Sequence, residues 1–303
     1  TIRDCFNNGV VVAQISAVGG FFGLFQLCSR INIEIFNSAN NGIVNAISYS
    51  GGDEVGGFVG RLNSNEEINI SMNNCSNNGP ITARYDKVGG FIGHINENSM
   101  NLIISGSQNN GALSGTSKLG GFIGSIFDSS SMNVRFFDGK NNGNITGNGQ
   151  DDGIGGFVGL IQNNAGMSIQ MDGVVNLGNL SEDSYVGGFI GRVLSNPDMS
   201  LSISKSMNNG TINGLEKIGG LIGEIHNNSN MDASVFNCSN KGPATGTTTI
   251  GGLIGSTSSV SQSSTQLLVV VNSENKGDVS ASNGHACGIF CVNDENNDSV
   301  NVT

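Results

Sequence analysis

One phrase, an aliphatic residue followed by Gly-Gly-Phe-Ile-Gly, recurs along the whole chain and constrains its fold more than any other feature. It stands in full as Val88-Gly89-Gly90-Phe91-Ile92-Gly93. The first glycine of each copy is Gly19, Gly56, Gly89, Gly120, Gly155, Gly187, Gly219 and Gly251. A degraded ninth copy reads Ala286-Cys287-Gly288-Ile289-Phe290-Cys291. Successive copies lie 37, 33, 31, 35, 32, 32, 32 and 36 residues apart. Self-similarity at a period of about 20–50 residues marks a solenoid, a propeller or an array. Each unit then buries its apolar face only against its neighbours, so residues 1–303 read as one continuous solenoid rather than two domains.

Two further marks divide each repeat. The first is Asn-Asn-Gly or a relative, whose leading residue is Asn7, Asn40, Asn77, Asn109, Asn141, Asn176, Asn208, Asn240 and Asn275. The second is an alternating apolar stretch such as Met100-Asn101-Leu102-Ile103-Ile104, in which every other side chain shares one strand face. Each repeat thus holds three apolar segments with period-two character, bounded by Gly, Asn and Ser, which is how strands and turns read. The expected fold is all-β: a single-stranded, right-handed parallel β-helix of nine coils, about 32 residues each, with three short strands per coil. At roughly 4.8 Å per strand spacing the rod is about 40 Å long.

Stacking of identical coils makes columns of like side chains. Phe21, Phe58, Phe91, Phe122, Phe157 and Phe189 form an expected aromatic stack, continued by Leu221, Leu253 and Ile289. The nine asparagines predict a buried structural ladder at one corner, since an Asn accepts turn conformations and passes amide hydrogen bonds to the Asn above and below.

Composition excludes more than it assigns. The 47 Gly with only 3 Pro remove collagen-like and polyproline readings. A net charge of -11 and few Lys and Arg argue against nucleic acid and against anionic membrane surfaces. No apolar run reaches bilayer-spanning length, so this segment inserts in no membrane, and no signal-peptide pattern is present.

Candidate chemistry is sparse. Cys5, Cys75 and Cys238 share one repeat position with Ser38, Ser107, Ser206 and Ser273, a small slot where Cys serves as a hydrophobe. Cys287 and Cys291 replace two glycines of the last copy. On a straight strand they stand about 13 Å apart, beyond disulfide reach, and only a kinked end brings them together. No metal site is expected, because no Cys-x-x-Cys or paired His is present, and no cofactor or catalytic set is legible. His94, His226 and His285 read as surface residues at unrelated repeat positions. The loop before the Gly-Gly phrase carries Asp53-Glu54, Asp86, Asp151-Asp152, Glu182-Asp183 and Glu216, interleaved with Lys87, Lys118 and Lys217. That is a solvated edge, or, if carboxylates converge, a glycoside-hydrolysing pair or an acidic edge able to hold calcium. Tyr49, Tyr85 and Tyr185 sit nearby as the candidate ligand-binding residues, able to stack on sugar.

Ile218-Gly219-Gly220-Leu221-Ile222-Gly223 and Ile250-Gly251-Gly252-Leu253-Ile254-Gly255 resemble the GLUG motif, the Gly-Gly-Leu-Val-Gly repeat of bacterial surface proteins. The repeat is also similar to those of chlamydial polymorphic outer-membrane proteins and of trichomonad surface families. The resemblance covers all nine copies and implies a large extracellular or cell-surface protein linked to adhesion, with no catalytic residues to carry over. The expected function is a non-enzymatic rod acting as stalk, adhesin or fibre component. The alternatives are a polysaccharide-active enzyme and a module binding glycan or a host protein. The chain opens and closes inside the repeat, so it reads as a segment of a longer chain or fibre. Its ends either continue in the same chain or stack end to end on another copy. The degraded last coil, 278–303, is a candidate cap.

Overall fold

The computed structural model describes residues 1–14, 16–47, 52–64, 66–149, 152–258 and 266–292. It is a parallel β-solenoid of nine coils, with no helix among the described residues. Coil three shows the pattern. Its strands are Ile68–Asn73, Ser76–Asn77, Ile81–Ala83, Val88–Gly89 and Ile92–Asn96, numbered here as ladders I to V. Each pairs in parallel with its counterparts in the coils on either side, giving five sheets of nine strands. The three apolar segments of the repeat therefore make five ladders rather than three. Two of the segments bend in the middle. The Asn77 amide turns back onto the Gly79 carbonyl at 3.0 Å, which breaks the Asn-Asn-Gly segment into ladders II and III. A bend at Gly90-Phe91 likewise separates ladders IV and V.

Two apolar compartments run the length of the rod. Ladders I and V close the larger one around the Phe column, with Ile70, Met72, Phe91, Ile92 and Ile95 from coil three. Ladders III and IV close the smaller one, with Ile81, Ala83 and Val88. The Gly-Gly pair lies between the residues of the two. A Cβ on Gly90 would stand 2.7 Å from Asn109 Oδ1 of the next coil and overlap the Gly121 carbonyl oxygen. The glycine of one sequence mark thus makes room for the asparagine of the other.

The Asn ladder is complete. Each Nδ2, from Asn7 to Asn240, donates to Oδ1 of the next Asn at 2.7–2.8 Å, and the members from Asn40 to Asn240 are fully buried. The second Nδ2 hydrogen, from Asn40 onward, goes to the carbonyl two residues on, at 2.8–3.0 Å. Buried amides satisfied in this way avoid the desolvation penalty of an unmade bond.

A second interior polar column stands between ladders V and I, seven residues after Phe91, Phe122, Phe157, Phe189 and Leu221. Asn98, Ser129, Asn164, Asn196 and Asn228 are buried there. Asn164 Nδ2 donates to Asn196 Oδ1 at 3.0 Å and Asn196 Nδ2 to Asn228 Oδ1 at 2.9 Å. The small slot is a third such column: the backbone N–H of Cys75 donates to Ser107 Oγ at 3.1 Å, and that of Cys238 to Ser273 Oγ at 3.0 Å. Cys75 and Cys238 are buried and unbridged, as that slot requires, whereas Cys5 in the first coil is exposed. The corner just before the slot holds a left-handed residue in every coil, namely Asp4, Asn37, Asn74, Gly106, Asp138, Gly173, Lys205, Asn237 and Asn272. Asn, Asp and Gly dominate because they visit that conformation at the least steric penalty.

The aromatic column stacks face to face from Phe21 to Phe157, with centroids 4.6–5.0 Å apart. Phe189 departs from it, meeting Phe157 edge-on at 79°. The next coil offers Leu221 instead of a ring, so the last phenylalanine has a ring neighbour on one side only. An edge contact there is as favourable as a stack. Leu221 and Leu253 continue the column buried, but Ile289 in the ninth coil is exposed.

Cys287 and Cys291 are joined by a disulfide, with Cα atoms 5.5 Å apart. This corrects the straight-strand expectation. The chain bends at Gly288-Ile289 between ladder IV (His285–Cys287) and ladder V (Phe290–Val292), as it does in every coil. Of the candidate cap 278–303, residues 293–303 lie outside the described residues.

Candidate functional site

Variation in coil length falls largely in the loop joining ladders III and IV. It runs 47–54 in coil two but only 84–87 in coil three. This loop carries charged residues, and its described end reaches ladder V, where Glu54 meets Arg61. The third position of ladder V makes one column in register: Arg61, His94, Ser125, Leu160, Arg192, Glu224 and Ser256. Loop and column together form a charged edge.

That edge is not the solvated one expected from the sequence. Asp53, Glu54 and Glu182 are buried. Asp53 Oδ2 accepts the backbone N–H groups of Arg84 and Tyr85, both at 3.0 Å, and so ties the loop of coil two to that of coil three. Glu54 Oε1 lies 3.4 Å from both Arg61 and Lys87. Burial pushes the Glu54 carboxyl above its ordinary value against the pull of those two cations. Lys118 bridges Asp86 and Asp152 at 2.7 Å each. Burial pulls its ammonium down, but the two carboxylates outweigh that and hold it above its usual range. Glu182 is different: among the described residues neither carboxyl oxygen has a hydrogen-bond partner, and burial, with Asp152 and Asp183 adding repulsion, pushes it up to about 9.

His94 also departs from expectation. It is 5 % exposed, lies under the edge, and its Nδ1 is 2.7 Å from Ser125 Oγ. Burial, then the positive charges of Lys87, Arg61 and Lys118, push it down to about 2, so the imidazole is neutral at physiological pH. His226 is half-buried and its Nδ1 meets Ser258 Oγ at 2.7 Å, while His285 is exposed as expected.

Around His94 the edge opens into a cleft of ≈ 370 Å³ lined by Glu54, Arg61, Asp86, Lys87, His94, Asn96, Lys118, Ser125 and Phe127. Two carboxylates do share it, each with a lysine beside it. No group of three or more His, Cys, Asp or Glu side chains suited to a metal ion occurs among the described residues.

The chain matches no family model, no curated protein and no solved structure. Its site must therefore be read from its own residues.

The three tyrosines are not brought together. Tyr49 lies outside the described residues. Tyr85 is half-buried in coil three, with the Arg84 guanidinium 5.8 Å from its ring centre. Tyr185 belongs to coil six, where Arg192 sits 4.0 Å over its ring and the Lys217 ammonium 4.9 Å away. Both cations also reach Glu224, Arg192 at 2.7 Å and Lys217 at 2.8 Å, so this second cluster is closed on itself. Sequence reasoning missed Arg61, Arg192 and Glu224. Their signal is a charged residue two places after the phrase's Phe-Ile-Gly or Leu-Ile-Gly isoleucine or valine, where most copies carry a neutral one.

Proposed function

We propose that this chain is a non-enzymatic, right-handed β-helical rod of an extracellular or cell-surface protein, acting as stalk, adhesin or fibre component. The observation that carries this reading is the unbroken stacking of five nine-stranded ladders, with one side-chain ladder of Asn running through every coil. Length and stiffness are the properties such a body supplies in full. The Cys287–Cys291 disulfide supports an oxidising location, where such bonds persist. The likeness of the Gly-Gly-Leu-Ile-Gly copies to GLUG-type surface repeats points the same way. A polysaccharide-active enzyme needs two carboxylates free to act as acid and base or nucleophile. In the cleft, Glu54 and Asp86 instead neutralise Arg61, Lys87 and Lys118. Electron microscopy of the natural full-length protein, with light scattering over a concentration series, tests the rod. Extended particles are expected; a compact globular particle, or turnover of a glycan by the purified chain, would overturn the reading.

A further inference from the structure

The charged edge contains two clusters built on the same four positions of the repeat. In coils six and seven these positions hold Tyr185, Arg192, Lys217 and Glu224. In coils two and three they hold Glu54, Arg61, Lys87 and His94, with Arg61 in register with His94 as Arg192 is with Glu224. Both clusters thus pair an arginine of ladder V with a lysine of the next coil's loop. They differ in where the carboxylate stands.

In the second cluster Glu224 rises from ladder V directly between the cations, with contacts of 2.7 and 2.8 Å. In the first that position belongs to a neutral histidine. The carboxylate that reaches Arg61 and Lys87, Glu54, comes from the loop and does so only at 3.4 Å, while the cleft's other carboxylate, Asp86, is held by Lys118. Arg61 Nη2 donates to Asn63 Oδ1 at 2.8 Å, while its Nε is buried with no hydrogen-bond partner among the described residues. A third cation, Lys118, faces the same space, held by Asp86 and Asp152 at 2.7 Å each, and a cleft of ≈ 370 Å³ opens there.

We propose that this cleft binds a carboxylate-bearing sugar, of the size of one uronic-acid residue, whose carboxylate takes the place beside Arg61 and Lys87 that Glu224 fills in the other cluster. Charge-assisted bonds from a guanidinium and ammonium groups are the strong recognition elements for such a group. The volume falls within the range of small-molecule sites, about 300–1,000 Å³, and exceeds what a bare carboxylate fills. Asn96 and Ser125 supply polar atoms for ring hydroxyls, and Phe127 gives an apolar wall. The neutral imidazole of His94 adds no competing negative charge. The rod reading does not require this site, so either can fail without the other.

Titration calorimetry of the full chain with D-galacturonate tests it, with galactose and inorganic sulfate as the other arms. Galacturonate is expected to bind, galactose at least about tenfold more weakly, and sulfate weakly. Substituting Arg61→Gln or Lys87→Gln is expected to weaken galacturonate roughly tenfold, the loss of one charge-assisted contact. Glu54→Gln removes the internal competitor and strengthens binding several-fold. His94→Glu places a carboxylate where Glu224 has one and abolishes binding while circular dichroism stays that of a β-solenoid. Galactose binding as tightly as galacturonate, or unchanged affinity in His94→Glu, would overturn the proposal. Sulfate binding as tightly as galacturonate would overturn the sugar assignment. Should His94→Glu fail to fold, Glu54→Gln decides: affinity no stronger than wild type removes the idea.

Discussion

Replacing Asn109 by alanine removes the fourth rung of the Asn ladder. Its Nδ2 donates to Gly111 O at 3.0 Å and to Asn141 Oδ1 at 2.8 Å, and its Oδ1 accepts from Asn77 Nδ2 at 2.8 Å. Three buried groups lose a partner at once: an Asn77 N–H, the Asn141 side-chain carbonyl and the Gly111 carbonyl. Leaving a buried polar group unsatisfied costs about 1–3 kcal/mol each, so the expected loss is about 3–9 kcal/mol. Asn7 makes the control. It is half-buried in the first coil, donates to Asn40 at 2.7 Å, and sits where water can reach the vacated groups. Its Oδ1 also accepts the Gly9 N–H at 3.2 Å, so Asn7→Ala should cost only about 1–2 kcal/mol, the ordinary net value of two part-exposed bonds. Urea unfolding followed by far-ultraviolet circular dichroism measures both, and native-state hydrogen exchange localises the damage to coils three to five. Equal destabilisation of the two variants, within about 0.5 kcal/mol, would refute the reasoning, because distant independent sites of equal chemistry would then differ only in burial that does not count.

Two further substitutions probe the packing and the charged edge. Gly90→Ala puts a Cβ against Asn109 Oδ1 and the Gly121 carbonyl, and should cost at least about 2 kcal/mol as an overpacked core site. Gly166→Asn, at a left-handed corner with nothing within 4 Å of the added atom, should stay within about 0.5 kcal/mol in the same urea assay. Glu182 binds its proton more tightly folded than unfolded, with a folded value of about 9 against an ordinary 4.5. Its contribution to stability is thus complete below about pH 4.5 and drains away as pH rises toward 9, at up to about 1.4 kcal/mol per pH unit. Glu182→Gln should flatten thermal stability across pH 5–9 and raise it at pH 7, by up to roughly 3 kcal/mol. Parallel pH profiles for variant and wild type would sink this account.

The solenoid and the Asn ladder were legible in the sequence because nine identical residues at one repeat position admit few explanations. The second polar column was not. It alternates Asn98, Ser129 and Asn164, beside other asparagines that face outward, so residue type alone does not mark it. Five ladders were read as three because the bends at Asn77–Gly79 and Gly90-Phe91 leave the apolar spacing intact. The same bend hid the Cys287–Cys291 bond. The charged edge was seen as residues but not as pairs. The pairing of lysine with carboxylate is made across coils, Lys87 with Glu54 and Lys118 with Asp86, and so is the burial of His94 beside Arg61 and Ser125 of the neighbouring coils.

Every bond of the Asn ladder points the same way, from the Nδ2 of one coil to the Oδ1 of the next. Nine amide dipoles joined by these eight bonds therefore add head to tail along the axis, as peptide dipoles add in a helix, and each polarises the next. The rod is a vector. It offers a carbonyl oxygen toward its first coil and amide hydrogens toward its ninth, so a further coil with the repeat asparagine joins either face in one orientation only. Reversing a coil would set oxygen against oxygen. The column that fills the interior also writes a direction into the molecule, one that any neighbour stacked on its axis has to obey.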